Sequence, residues 1–408
     1  MFQYCLSLAR HFKSFRKRRG VQAGYSKRAR GSYFKITSHE FPNYSGALYA
    51  AMLRSVQVLG AATHSRLAIA RAIRHMQSMK SHGFNPADPF RPPLWMRSAM
   101  AQTVLASQKF RKSGTQLMEQ VAEERILTCR DADGAPVKLM GQYSRAVNPR
   151  ALMILLHGWE GSQDSTYVIS HGRFLFDQGV SIFRLNYRDH GPTHHLNEGI
   201  FNSTLFAEVF DAVQQVTEGE TVPVMLIGFS LGGNFALRIA RALKDTPIPN
   251  LSHIISVSPV IDPVAAAPVV DINPLIRRYF LKKWSASLVK KQAAFPELYD
   301  FGDVSRFKTV AQMSAEFLPG YTEYAAPDDY FTAYRIWQDD LTGCETPLSI
   351  IMAKDDPVLP AEDVLPLKLH ANSHLFYLDH GGHNGFFTSL RGPTWYDSYV
   401  QTLLSVRD

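Results

Sequence analysis

Short, continuous apolar runs recur along the chain after residue 150: Ala151–Leu156, Val180–Leu185, Val222–Ile227, Ile254–Val257 and Leu348–Met352, with a shorter one at Leu375–Leu378. Between and after them lie stretches whose apolar residues fall at helical spacing: Ser165–Gln178, Ser203–Val216, Leu231–Leu243 and Trp395–Ser405. A strand without polar alternation is buried on both faces, and strands that alternate with helices are joined in parallel. The pattern therefore predicts an α/β fold, with a mostly parallel central sheet covered by helices on both faces. Upstream, Arg125–Cys129 and Val137–Tyr143 flank Asp131-Ala-Asp-Gly134 and predict a hairpin. Ligands of such sheets bind beyond the carboxyl ends of the strands, so chemistry is expected in the loops that follow them.

One connection breaks the rhythm. Residues 263–346 separate two predicted core strands and are far longer than an ordinary loop. This segment is rich in aromatic residues, Tyr279, Phe280, Trp284, Tyr330 and Phe331 among them. It is predicted to be a helical cap insertion, with most of these rings burying the cap and the others lining an apolar acyl pocket.

Apolar residues make up 45% of the 408-residue chain and charged ones 20%, as in an ordinary globular protein. The formal charge of +8 is unevenly placed. Residues 1–85 hold 15 basic residues and a single acid, Glu40, while residues 86–408 hold 29 basic and 35 acidic residues, a balance of −6. The high isoelectric point thus belongs to a basic N-terminal extension, and no nucleic-acid partner is expected of the body. The extension, with a helix predicted over Ala47–Met79, reads as a disordered or partly helical tail. It also fits an organellar targeting peptide, sequence upstream of a start at Met52, or a peripheral contact with a membrane surface. The clusters Asn85-Pro86, Asp88-Pro89 and Arg91-Pro92-Pro93 mark the boundary to the domain at 86–408. No stretch is apolar enough to span a bilayer. Three distant cysteines, Cys5, Cys129 and Cys344, suggest neither a disulfide framework nor a metal knot, and point to a reducing, cytoplasmic setting.

The chemistry lies where the strands end. After Val222–Ile227 comes Gly228-Phe-Ser-Leu-Gly232, a G-x-S-x-G turn into a helix. Such a turn lifts the Ser230 hydroxyl to the rim of the sheet at a helix N-terminus, and side chains two residues to either side would collide with neighbouring backbone. After Ala151–Leu156 comes His157-Gly-Trp-Glu-Gly161. Its Trp159 amide, together with that of Leu231, is expected to form an oxyanion hole. His157 is expected to fix that loop. Leu348–Met352 is followed by Asp355-Asp356, where Asp356 is the candidate acid and Asp355 a brace. Leu375–Leu378 is followed by Asp379-His-Gly-Gly-His383, where His383 is the candidate base and His380 its competitor. The order Ser, Asp, His suits nucleophilic acyl transfer on this class of sheet, without cofactor or metal. Asp189, His190, His194 and His195 could ligate a metal, but the default reading is a loop at the mouth of the site.

The segments His157-Gly-Trp-Glu-Gly-Ser162, Gly228-Phe-Ser-Leu-Gly-Gly-Asn234, Ala353-Lys-Asp-Asp-Pro357 and His380-Gly-Gly-His-Asn-Gly-Phe386 resemble the α/β-hydrolase superfamily, specifically its YheT-like branch (the AB hydrolase 4 group). The resemblance covers about residues 89–405, including Pro92-Pro93-Leu94-Trp95. It implies a Ser230–Asp356–His383 triad and esterase or lipase activity on small-molecule or lipid carboxylic esters. The same triad would also serve an acyltransferase or thioesterase. A catalytically silent, membrane-associated binding protein is the expectation from another class.

Overall fold

The computed structural model describes residues 90–113 and 116–405. The basic extension, the helix expected over Ala47–Met79 and the boundary at residues 85 and 86 lie outside them. The sheet contains β1 (Ala122–Arg130), β2 (Pro136–Ser144), β3 (Ala151–Leu156), β4 (Val180–Asn186), β5 (Val224–Phe229), β6 (Leu251–Val257), β7 (Leu348–Ala353) and β8 (His374–Leu378). Their order is β1-β2-β4-β3-β5-β6-β7-β8. β1 and β2 form the expected hairpin, β2 runs antiparallel to β4, and the pairs from β4 to β8 are parallel.

The helices longer than one turn are α1 (Ala99–Ala106), α2 (Thr166–Phe176), α3 (Phe206–Thr217), α4 (Leu231–Ala242), four cap helices, and α9 (Trp395–Ser405). Alternate side chains of one strand enter opposite layers. Leu152, Ile154 and Leu156 pack with Val209 and Val213 of α3 and Phe235 and Ile239 of α4. Met153 and Leu155 pack with Val168 and Ile169 of α2 and Tyr396 and Val400 of α9. Burial on both sides is the reason the strands carry no polar alternation.

The expected cap is present as α5 (Pro263–Ile272), α6 (Pro274–Ala294), α7 (Val310–Tyr321) and α8 (Pro327–Ala333). Asp262 and Asn273 cap α5 and α6 with their side chains, and each is followed by a first-turn proline. The cap has its own small core of Leu288, Phe301, Met313 and Phe317, which accounts for several of the rings read from the sequence.

Several element starts differ from the apolar pattern, those of α3 and β6 by three residues each. α3 begins at Phe206 rather than Ser203, because the Ser203 amide donates to the Tyr330 hydroxyl and the Asn202 side chain holds the Thr204 amide in a turn. β6 begins at Leu251 rather than Ile254: Ser252 and His253 interrupt the apolar run but stay in the strand, Ser252 at a register shift with its hydroxyl donating to the Val224 carbonyl, and His253 paired with Met225. Cys129 and Cys344 are buried free thiols, which burial pushes up to about 12 and about 11. No helix among the described residues is long and apolar enough to cross a membrane.

Candidate active site

Ser230 stands between β5 and α4 with φ 58° and ψ −115°, a left-handed conformation that costs on the order of 1–3 kcal/mol for a non-glycine residue. The surroundings enforce it. The Ser230 amide donates to the Val257 carbonyl at the end of β6. A Cβ on Gly228 would lie 2.0 Å from the Gly232 carbonyl oxygen, and one on Gly232 2.4 Å from that of Leu156. Both glycines are thus required by close backbone approach, as expected of this turn.

The loops after β7 and β8 bring the partners. His383 Nε2 lies 2.9 Å from Ser230 Oγ, and His383 Nδ1 lies 2.8 Å from Asp356 Oδ2. The other carboxylate oxygen of Asp356 accepts the Val358 and Leu359 amides at 2.8 and 3.1 Å. The Asp356 side chain is fully buried and the His383 side chain nearly so. With Asp356 accepting at Nδ1, that nitrogen carries the proton, and Nε2 is left to accept from the hydroxyl. Asp355 takes the bracing place: its carboxylate accepts the Gly382 amide at 2.8 Å and lies 3.5 Å from His380. His380 belongs to that brace and does not reach Ser230.

The loop after β3 abuts the Ser230 turn. A Cβ on Gly158 would sit 3.1 Å from Ser230 Cβ, and the Gly158 amide donates to the Tyr167 hydroxyl at 2.8 Å. Among the described residues, nothing accepts a hydrogen bond from the Trp159 or Leu231 amide. His157 is fully buried; its Nδ1 donates to the Gly158 carbonyl and its ring packs on Tyr187. Burial holds its pKa well below the ordinary imidazole range, so it is neutral and shapes the loop.

Sequence reasoning missed the support behind His383. The His383 amide donates to Thr103 Oγ1 at 2.9 Å. Gln102, buried on the same helix α1, accepts the Phe387 amide and donates to the Phe387 and Met96 carbonyls. The available signal was the pair Gln102-Thr103 standing alone as polar residues in the otherwise apolar stretch Ala99–Ala106.

Beneath the cap lies a pocket of about 1080 Å³ of empty space, its open mouth included. Ser230, Leu231 and Trp159 reach it, and Phe280, Trp284, Leu318 and Tyr330 give it apolar walls. Trp159 stacks on Phe280 at 5.1 Å and meets Trp284 edge-on at 5.4 Å, which joins the loop to cap helix α6. A second link is a buried ion pair: Lys291 of α6 donates to Asp189 Oδ1 at 3.0 Å and to the carbonyls of Asn197 and Gly199. All three ammonium donors are thereby used, which is what makes a buried lysine tolerable. Burial raises the pKa of Asp189 and lowers that of Lys291, each opposed by the partner. Burial also pushes Glu160, on the pocket wall, up to about 8, so it is mostly protonated at neutral pH.

The Asp189, His190, His194 and His195 segment is a loop beside this pocket. His190 Nδ1 donates to the Arg188 carbonyl while Nε2 accepts the Glu160 amide, and His194 bonds to Ser287. Among the described residues no group of three or more His, Cys, Asp or Glu is arranged to hold a metal ion.

Residues 153–391 match the family model of the alpha/beta hydrolase family. The chain belongs to that family. Its fold is the α/β-hydrolase fold, with a helical cap inserted between β6 and β7. Among curated proteins, the uncharacterized protein RP471 of Rickettsia prowazekii is 23% identical over 137 residues, 32% of this chain and 55% of that one. The chain thus spans about half the length of the curated relative it matches. Similar solved structures include the Pyrococcus furiosus esterase Pf2001 (17% identity, TM-score 0.44, covering 72% of this chain and 94% of that one). Another is Est1E of Butyrivibrio proteoclasticus with bound ferulic acid (16%, TM-score 0.43, 69% and 100%).

Proposed function

We propose that this α/β-hydrolase is a serine esterase that cleaves carboxylic esters through an acyl-enzyme. The observation that carries the reading is the continuous chain of hydrogen bonds from Ser230 Oγ through His383 to the buried Asp356 carboxylate, opening on an apolar pocket. In the first half-reaction Ser230 Oγ attacks the ester carbonyl carbon while His383 Nε2 takes its proton. The oxyanion that forms is met by the Trp159 amide in the loop after β3 and by the Leu231 amide at the N-terminus of α4. His383 then returns the proton to the departing alkoxide, and the alcohol leaves. In the second half, His383 deprotonates water, which attacks the acyl-enzyme and frees the acid and Ser230. Asp356 keeps the proton-bearing nitrogen turned away from the serine and stabilises the imidazolium. The motif resemblance supports a place in the YheT-like branch, and the apolar pocket favours acyl chains over charged ones.

Ser230→Ala should abolish hydrolysis of short p-nitrophenyl esters, with kcat lower by about 10⁴-fold or more. Initial-rate assays on the purified variant test this. Turnover within tenfold of the wild type would refute the assignment.

A further inference from the structure

Cap helix α6 lies over the pocket, into which Phe280, Trp284, Ser287, Leu288 and Lys291 face. Its other side is open to solvent and unusual in composition. Leu275, Arg278, Tyr279, Lys282, Val289 and Lys290 recur at helical spacing and are all exposed, Leu275 at 69% and Val289 at 56%. Ile272, at the end of α5, adds a further apolar side chain at 75% exposure. The helix holds six basic residues and no acidic one, in a body whose overall balance is negative. Lys291 is taken by Asp189, and Arg277 donates to the Asp271 carbonyl. Arg278, Lys282, Lys283 and Lys290 stand exposed, and none forms an ion pair with another described residue.

Positive charge alone would suit any polyanion. Here the charges are interleaved, turn by turn, with apolar side chains that water does not favour. Basic and apolar residues sharing one exposed helical face are the composition of a helix that rests in a bilayer interface. We infer that the outer face of α6 docks on an anionic lipid surface. A docked helix brings the pocket beneath it to within about one helix diameter, ~10 Å, of lipid esters. Lipid esters as substrates rest on the esterase reading above; the docking itself does not.

Co-sedimentation of the full chain with vesicles of phosphatidylcholine, alone or mixed with phosphatidylglycerol, tests the inference. The wild type should prefer the anionic vesicles, and added salt should weaken the binding. Arg278→Gln with Lys282→Gln should weaken it by about twenty-five-fold, taking about fivefold for each basic charge removed at such a surface. Leu275→Ser with Val289→Ser should weaken it by about tenfold. Both double variants should keep wild-type turnover of a soluble short-chain ester without vesicles. A nitrobenzoxadiazole dye on Lys282→Cys, in a Cys5→Ser background, should shift to the blue when anionic vesicles are added. No binding by the wild type, undiminished binding by both double variants, or an unshifted dye on bound protein would each overturn docking by this helix. Binding to an oligonucleotide but not to vesicles would mark a polyanion site instead and overturn it too. Ser230→Ala should bind vesicles like the wild type; if it still hydrolysed ester, the esterase reading would fail while the docking stood.

Discussion

At the scale of single residues, two adjacent aspartates show how placement separates roles. Asp355 and Asp356 share one strand end, yet only Asp356 is fully enclosed and bonded to the His383 ring, with two backbone amides on its other oxygen. Asp355 holds the Gly382 amide and faces His380. Asp356→Asn, which can present an amide N–H where the imidazole needs an acceptor, should lower kcat for an ester substrate by about 10⁴-fold. Asp355→Asn should lower it by no more than about tenfold, since it loosens a loop and leaves the ring's tautomer alone. Steady-state kinetics on the pair decides this. Similar losses in both variants would contradict the division of labour. Sequence favoured Asp356 on spacing; the structure adds the physical reason, which is enclosure.

At the scale of elements, much was readable because burial leaves a mark on composition. α9 is found over the residues its spacing predicts, Trp395–Ser405, and each predicted strand is present. The G-x-S-x-G turn was readable because its glycines answer a steric need. Gly228→Ala would force a methyl to within 2.0 Å of the Gly232 carbonyl oxygen, whereas Gly233→Ala meets only Ser256 Oγ at 3.0 Å and Pro259 at 3.1 Å. Gly228→Ala should therefore destabilise by about 3 kcal/mol or more and reduce soluble yield, and Gly233→Ala by about half as much. Urea titrations would reveal an error here if Gly228→Ala were the milder change. What could not be read were contacts between distant segments. The Thr103 hydroxyl that accepts the His383 amide is 280 residues away along the chain. A polar residue on a short helix gives no sign of which loop it will meet. The stack of Trp159 on Phe280 likewise exists only once the cap has folded over the sheet.

For the whole molecule, pH acts through groups that burial keeps neutral. Burial takes His190 and His194 down to about 4, against about 6.5 in the unfolded chain. Their contribution is complete above about 6.5 and is lost as pH falls from there to about 4, because the unfolded chain then binds more protons. Glu160 acts in the opposite sense. Its folded pKa is raised to about 8, so its contribution is present below about 4.5 and is lost as pH rises through 8. Glu160→Gln should therefore raise the melting temperature by several degrees at pH 8 and by little at pH 5, in thermal scans at fixed salt. A gain that did not grow with pH would contradict the protonated state assigned to this carboxyl. Glu160 and His190 line the pocket that Ser230 reaches, and the proposed chemistry requires Ser230 to be singularly reactive in the folded chain. Intact-mass and peptide-mapping spectrometry after treatment with a fluorophosphonate measures this directly. The expected result is one adduct per chain on the peptide carrying Ser230, lost in Ser230→Ala and much slower to form in His383→Ala. A stable adduct on another residue, or an unmodified Ser230 in properly folded protein, would contradict the account.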